Sequence, residues 1–173
     1  MRISGSVEST SLESVDTAPV LLLGLGNPLM SDDGAGQEIL AQLESEAPNW
    51  GGRVEFLDGG TQGLALLGRF DGRKAVLFLD AVRLGDKPGA VHMLRGEELE
   101  RMGSAGVTAH EGSAPQILAA LRLLGEVPQE VAVVGIEPER LATGIGLSAA
   151  VQAGVPAAAS VARRTITEIL TAI

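Results

Sequence analysis

Four short apolar runs, separated by stretches long enough to contain helices, constrain most strongly what this chain can fold into. The runs cover residues 20–23, 54–57, 75–79 and 131–136. Parallel strands buried on both faces have this continuous apolar character, because neither face meets water. Residues 89–95 alternate weakly, which predicts an antiparallel edge strand. The expected fold is α/β with three layers: a central, mostly parallel twisted sheet between helices, with one antiparallel edge strand.

Helical patterns occupy the segments between the runs. Residues 34–47 carry an apolar stripe, and residues 61–68 predict a short helix. Residues 113–116 have a capping-box pattern, with a proline in the first helical turn. The segment from Leu147 onward predicts a long amphipathic helix that is bent or interrupted near Pro156.

Length and composition narrow the class of protein. The composition of residues 1–17 predicts a flexible N-terminal tail. The length of the chain, 173 residues, predicts a single α/β domain over 18–173. The formal net charge of −9, without a basic block, argues against nucleic acid or an anionic membrane as partner. No apolar run has the length of a signal peptide core or a membrane span, so a cytoplasmic location is expected. The protein is also expected to be a monomer.

The predicted strands deliver carboxylates to one edge of the sheet. Ligands bind beside the carboxyl ends of parallel strands. The acids that follow or end the four apolar runs are Asp32 and Asp33, Asp58, Asp80, and Glu137. Clustered carboxylates repel one another unless a cation or a proton neutralises them. Because the chain has no cysteine, a metal would need oxygen and imidazole ligands, and His110 precedes a helix that returns to this edge.

Structural roles are open alternatives for most of these residues. Asp32 is favoured as a residue that stabilises the start of the following helix, and Asp58 fits an ordinary turn. Asn27 can tie the glycine turn together through its side chain. The acids Glu111 and Glu137 fit solvent-facing or capping roles, and His92 fits an edge strand without a special function. Asp80 is harder to explain structurally, because it ends a buried run, where an unpaired charge is costly.

The loop GLGNPLMSDDGAG at 24–36 does not fit a phosphate-binding turn. Its first two glycines match a dinucleotide fingerprint, but Leu29 occupies the third glycine position. The following helix begins with Asp32 and Asp33, where a pyrophosphate would be repelled. Phosphate or nucleotide binding is therefore not expected at this loop.

Six segments together resemble the hydrogenase maturation endopeptidases, which trim the large subunit of nickel–iron hydrogenases. They are GLGNPLMSDDGAG at 24–36, DGGTQGLALL at 58–67, FLDAV at 78–82, HEGSAPQIL at 110–118, VGIEPE at 134–139 and GIGLSAAV at 144–151. Each segment alone is a weak signal, but all six follow the order and spacing of the family from about residue 20 onward.

The resemblance implies a function and a site. A member of this family removes the C-terminal extension of the large-subunit precursor after nickel insertion. The implied catalytic and metal-contacting residues are Asp33, Asp80 and His110. The nickel is supplied by the precursor, so the resemblance implies no tightly held metal of the enzyme's own.

Several alternatives stay open at this point. Either the metal or a carboxylate acting as general base activates the attacking water. Ser31, Ser113 and Ser148 fit turns or helix starts, so no serine–histidine–aspartate site is expected. The rival functions are a self-contained metal-dependent hydrolase of another substrate and a non-catalytic, chaperone-like module that checks the metal.

Overall fold

The computed structural model describes residues 17–104 and 112–173, with the side chains of 102–104 outside the description. The strands are β1 (Val20–Leu25), β2 (Val54–Gly60), β3 (Ala75–Ala81), β4 (Val91–Arg95) and β5 (Glu130–Ile136). The α-helices are α1 (Ala35–Glu44), α2 (Gly96–Ser104), α3 (Ala114–Leu124) and α4 (Ala149–Ala172). Single 3-10 helices cover Ser31–Gly34, Ala47–Trp50 and Gly63–Arg69.

The five strands form one mixed sheet in the order β2-β1-β3-β5-β4. Strands β1, β2, β3 and β5 pair in parallel, and β4 pairs with β5 in the antiparallel direction. The four apolar runs therefore become the four parallel strands, and residues 91–95 form the antiparallel edge strand. The predicted fold class is confirmed.

Alternate residues of the central strands fill two separate cores. Leu22, Leu77 and Val134 lie on the face covered by α1 and α4. On the opposite face, Leu23 and Phe78 pack with α3, whose apolar stripe is buried. Strand residues alternate between the two faces, so a continuous apolar run serves both cores. These are the three predicted layers.

The elements differ from prediction mainly in their extent. The expected helix over 61–68 is a 3-10 helix, Gly63–Arg69, and the helix over 34–47 ends at Glu44. Helix α2 was not predicted, because its polar sequence GEELERMGS has few apolar positions with which to show a helical stripe.

The C-terminal helix α4 runs from Ala149 to Ala172 without the predicted interruption, and Pro156 lies within it. Pro156 is exposed, so its ring faces solvent rather than the sheet. Among the described helices, none combines the length and the apolar character needed to cross a membrane. Of the predicted N-terminal tail, residues 1–16 lie outside the described residues.

Candidate active site

The candidate site lies at the carboxyl edge, which is the edge of the sheet where β1, β2, β3 and β5 end side by side. Asp58 lies near the end of β2, and Asp80 is the penultimate residue of β3. Asp33 follows β1 in the 3-10 helix Ser31–Gly34, and Glu137 follows β5. The prediction that each parallel strand brings a carboxylate to this edge is confirmed.

The glycines of the loop after β1 permit close packing of backbone. Gly26 has a φ of 123°, and a Cβ there would lie 1.7 Å from the carbonyl oxygen of Asp33. A Cβ on Gly36 would lie 2.2 Å from the carbonyl oxygen of Leu79 and 2.4 Å from that of Leu25. Real Cβ atoms do not approach so closely, so glycine is required where α1 crosses the sheet. Helix packing explains these glycines without a phosphate ligand.

Asn27 has the local role predicted for it. Its side-chain oxygen accepts a hydrogen bond from the Leu29 amide at 3.0 Å, and its carbonyl accepts one from the Met30 amide at 2.9 Å. Its own amide donates to Oδ2 of Asp33 at 2.8 Å. Asn27 therefore shapes the turn and also holds the Asp33 carboxylate.

Asp32 is fully buried and binds a distant loop. Its Oδ2 accepts hydrogen bonds from the amides of Glu139 and Arg140, both at 2.9 Å, and its Oδ1 accepts one from the Ser148 amide at 2.6 Å. We call these three bonds the Asp32 clamp. The 3-10 helix that contains Asp32 and the helix α1 that follows have no side-chain cap. The hydrogen bonds of Asp32 go across the edge to residues 139–148, so the prediction that its carboxylate binds free amides at the start of the following helix is wrong.

The electrostatics of Asp32 agree with this structural role. Burial disfavours the charged form, but the hydrogen bonds from Arg140, Ser148 and Glu139 outweigh it and lower the pKa of Asp32. The carboxylate is therefore charged at neutral pH, and its charge is stabilised by amides of the chain.

Backbone pairing reinforces the clamp. The Ser31 amide donates to the Gly144 carbonyl at 2.8 Å, and the Gly144 amide donates to the Leu29 carbonyl at 2.9 Å. Ser31 has a φ of 54°, which is uncommon for a residue with a side chain. Its hydroxyl donates to the Ala142 carbonyl at 3.0 Å. The loops after β1 and β5 are thus joined along several residues.

Glu137 also binds backbone, contrary to the expectation that it faces solvent or caps a helix. It is buried and accepts hydrogen bonds from the amides of Leu84 at 2.7 Å and Gly85 at 3.3 Å. His92, on β4, has its Nε2 atom 3.8 Å from Oδ2 of Asp86 and 4.0 Å from Oε2 of Glu137. Glu137 therefore fixes the loop after β3 against β5.

Asp58 forms the turn predicted for it. Its Oδ1 accepts hydrogen bonds from the Gly60 amide at 3.0 Å and from Nε2 of Gln37 at 3.1 Å. Asp32, Asp58 and Glu137 thus bind the chain itself. Their positions organise the loops of the carboxyl edge.

Asp33 and Asp80 are the two described members of the predicted site. Asp33 is 9% exposed and Asp80 is 1% exposed. The 3-10 helix that carries Asp33 packs against β3, the strand that carries Asp80. Oδ2 of Asp80 accepts a hydrogen bond from the Ala114 amide at 3.2 Å, which brings the start of α3 to the end of β3.

The third predicted member, His110, lies outside the described residues, as does Glu111. Just after them, the Gly112 amide donates to Oε1 of Gln116 at 2.7 Å, and Ser113 is the N-cap residue of α3. Gln116 bonds the amide one residue before the cap, so the predicted reciprocal capping box is not formed. In the part of the chain with described side chains, no three His, Cys, Asp or Glu residues are grouped to hold a metal ion.

Comparisons with known proteins identify the class. The family model described as hydrogenase maturation protease (HycI) matches residues 38–165. That range includes Asp80 and His110 and begins after Asp33. The chain belongs to the hydrogenase maturation protease family, and it is a peptidase.

Individual relatives agree with this assignment. The hydrogenase 2 maturation protease of Escherichia coli K12 is 37% identical over 137 residues, which cover 78% of this chain and 82% of the relative. The solved structure of the hydrogenase maturating endopeptidase HybD from E. coli has a TM-score of 0.74 at 33% identity, covering 86% of this chain and 92% of that chain. The NiFe hydrogenase maturation protease HybD from Thermococcus kodakarensis has a TM-score of 0.64 at 30% identity, covering 84% and 97%.

Proposed function

We propose that this peptidase removes the C-terminal extension of a nickel–iron hydrogenase large-subunit precursor after nickel has been inserted. The names of its relatives refer to hydrogenase maturation, which supports a hydrogenase precursor as substrate. In this proposal the nickel belongs to the substrate. Asp33, Asp80 and His110 contact it and thereby recognise a precursor that is ready for cleavage.

The observation that carries the site proposal is the hydrogen bond from the Ala114 amide to Asp80. It ties the start of α3 to the end of β3, where the 3-10 helix with Asp33 also packs. His110 precedes Ala114 by four residues in the sequence, so the tether between the imidazole and this point is short. Two of the proposed residues, Asp33 and Asp80, thus lie on elements that pack together, and the short tether to Ala114 supports His110 as the third.

The chemistry of the donors supports a substrate metal. Carboxylate and imidazole are suitable ligands for a borderline divalent cation, and the chain has no cysteine that would add a thiolate. Three such ligands leave coordination positions for groups of the precursor. An open site of this kind suits contact with a metal that another protein already holds.

Hydrolysis of the scissile amide adds the oxygen of water to the carbonyl carbon and delivers a proton to the leaving nitrogen. The nickel, when the precursor carries it, supplies Lewis acidity beside the bond to be cut. The residues of this chain position the precursor, and a carboxylate of Asp33 or Asp80 accepts the proton of the attacking water. Both residues are buried, which limits the access of bulk water to their carboxylates.

Nickel-loaded and nickel-free forms of the same precursor provide the first test. We expect the wild-type protein to shorten only the loaded form, which electrophoresis and intact-mass measurement will detect. Equal cleavage of both forms would overturn recognition of nickel while leaving the peptidase activity intact.

Substitutions at the site provide the second test, with Asp58 as a matched carboxylate at the same edge. We expect Asp33→Asn, Asp80→Asn and His110→Ala each to lower kcat by about a hundredfold or more, since each removes a proton acceptor or a ligand. Asp58→Asn keeps the oxygen that forms the turn, so it should cleave like the wild type. Full activity in the three site variants would contradict the assignment.

A further inference from the structure

Four exposed, large apolar side chains lie on the segments that leave the carboxyl edge. One lies on each connection that follows a parallel strand: Leu29 after β1, Leu64 in the 3-10 helix after β2, Leu84 after β3 and Ile145 after β5. Leu29 is 61% exposed and Ile145 is 88% exposed. We call these four residues the apolar rim. Because the strands are parallel neighbours, all four loops begin at the carboxyl edge.

The backbone under the rim is held in place by the same contacts that organise the edge. The Leu29 carbonyl accepts from the Gly144 amide, beside Ile145, and the Leu84 amide donates to Glu137. Ile145 lies between Arg140 and Ser148 in the sequence, and the Asp32 clamp holds the backbone at both of these residues. Apolar side chains presented from a fixed backbone lose little conformational freedom on binding, which favours their use in recognition.

The rim and the candidate catalytic residues share short segments. Asp33 follows Leu29 by four residues, and Asp80 precedes Leu84 by four. A precursor whose scissile bond reaches Asp33 and Asp80 therefore approaches the segments that carry Leu29 and Leu84. We infer that the apolar rim binds apolar side chains of the precursor polypeptide on both sides of the scissile bond. This inference rests on the proposed function and adds the surface that holds the substrate.

A second copy of this chain is a poorer occupant of the rim. A copy seated there would cover Asp33 and Asp80, and both copies carry a formal charge of −9. A protein substrate, in contrast, needs apolar contacts near the polar catalytic residues. At protein–protein interfaces a few buried apolar side chains supply most of the binding free energy. The precursor therefore explains both the position of the rim and its continuity with the site.

The chain offers a closely matched control for the test. Leu123 is 89% exposed, like Ile145, but it lies near the end of α3. Helix α3 starts at Asp80 on the carboxyl edge and leads to the start of β5, so Leu123 lies toward the opposite edge of the sheet. The variants are Ile145→Ser, Leu29→Ser, the double variant of both, and Leu123→Ser. Unchanged thermal unfolding will establish that each is folded.

Two measurements on these variants distinguish an effect of the rim on substrate binding from an effect on the catalytic step. With nickel-loaded precursor, we expect Ile145→Ser to raise KM about tenfold and the double variant to raise it further, with kcat unchanged. With nickel-free precursor, calorimetric titration should give the same weakening in Kd, because the rim contacts polypeptide rather than metal. Leu123→Ser should match the wild type in both.

The outcomes distinguish this inference from the proposed function. Rim variants that match the wild type in KM and Kd, or a Leu123→Ser variant that is equally impaired, would overturn the rim. A wild-type dimer that Ile145→Ser dissociates, with KM unchanged, would assign the rim to self-association and also overturn it. If the wild type fails to cleave loaded precursor but rim variants still weaken Kd, the proposed function fails and the rim stands.

Discussion

Two adjacent aspartates in one 3-10 helix have different surroundings and different roles. Asp32 is fully buried and accepts hydrogen bonds from three backbone amides within residues 139–148. Asp33 accepts a hydrogen bond from the amide of Asn27, which lies in the same loop. Each hydrogen bond to a charged group contributes about 1.5–3 kcal/mol in typical cases. Asp32 therefore contributes mainly to stability and loop position, and Asp33 is the residue proposed to contact the substrate.

We predict that Asp32→Asn lowers the free energy of unfolding by about 2–3 kcal/mol. The amide that replaces one carboxylate oxygen cannot accept a hydrogen bond, so buried backbone amides lose their partner. Asp58→Asn keeps its turn and should change stability by less than about 0.5 kcal/mol. Urea unfolding of both variants checks this, and equal midpoints for the two would contradict the structural role of Asp32.

Gly36 provides a second prediction at the scale of one residue. An alanine there would place its Cβ against the carbonyl oxygens of Leu79 and Leu25, so α1 would have to move away from the sheet. We expect Gly36→Ala to cost about 2 kcal/mol or more. The control is Gly68→Ala, where a Cβ meets no atom within 4 Å. A thermal melt that shows similar small effects for both would contradict the close approach.

At the scale of elements, helix α4 joins the core to the site. Val155, Ala158 and Ala162 are buried against the sheet, while Pro156 is exposed. At the N-terminus of the helix, the Ser148 hydroxyl accepts from the Val151 amide at 3.4 Å, and the Ser148 amide donates to Asp32. The cap of α4 is therefore part of the Asp32 clamp, and helix packing stabilises the loop beside the site.

We predict that Pro156→Ala raises the free energy of unfolding by about 1–3 kcal/mol. Alanine restores a backbone donor inside the helix and relieves the ring's clash with the preceding turn, and no buried contact is lost. The neighbouring exposed residue supplies the control, since Ala157→Gly should lower stability by about 1 kcal/mol. Denaturant midpoints will check both signs, and a destabilised Pro156→Ala variant would show that the helix depends on a bend at the proline.

At the scale of the whole molecule, carboxylates with lowered pKa values connect separate elements. The hydrogen bond from Arg163 on α4 lowers the pKa of Glu46, which follows α1. Burial raises the pKa of Glu55 on β2, but hydrogen bonds and charge from Arg73 and Arg69 outweigh it, and the net pKa is lowered. Together with Asp32, these groups favour the charged form in the folded state.

Stability is therefore expected to fall in acid. Because the pKa values of these acids are lower in the folded than in the unfolded chain, their contribution is complete above about pH 5. It is lost as the pH falls below about 4, through the folded-state pKa values. Urea midpoints measured between pH 7 and pH 3 should decrease, with a shallower decrease in Glu55→Gln. A constant midpoint across this range would contradict the prediction.

The order of strands along the chain, their approximate bounds and the three layers could be predicted from the sequence. The apolar runs at 20–23, 54–57, 75–79 and 131–136 all became strands, and β1 and β3 are buried throughout, whereas the edge strand β2 is only partly buried. Helix α2 could not be predicted, because its polar sequence has too few apolar positions to show a helical stripe. At the site, Asp33 and Asp80 were singled out and lie on elements that pack together, and the role of His110 stays a prediction.

The amino-acid sequence by itself determined that carboxylates collect at one edge of the sheet, because an acid follows or ends each of the four apolar runs and the carboxyl ends of parallel strands share an edge. Only the tertiary structure decided which of those acids bind the chain. Asp32 finds its partners more than 100 residues away, and Glu137 binds amides more than 50 residues away. Such hydrogen bonds depend on which distant loops come together in the folded protein, and a local sequence pattern does not predict which loops these are.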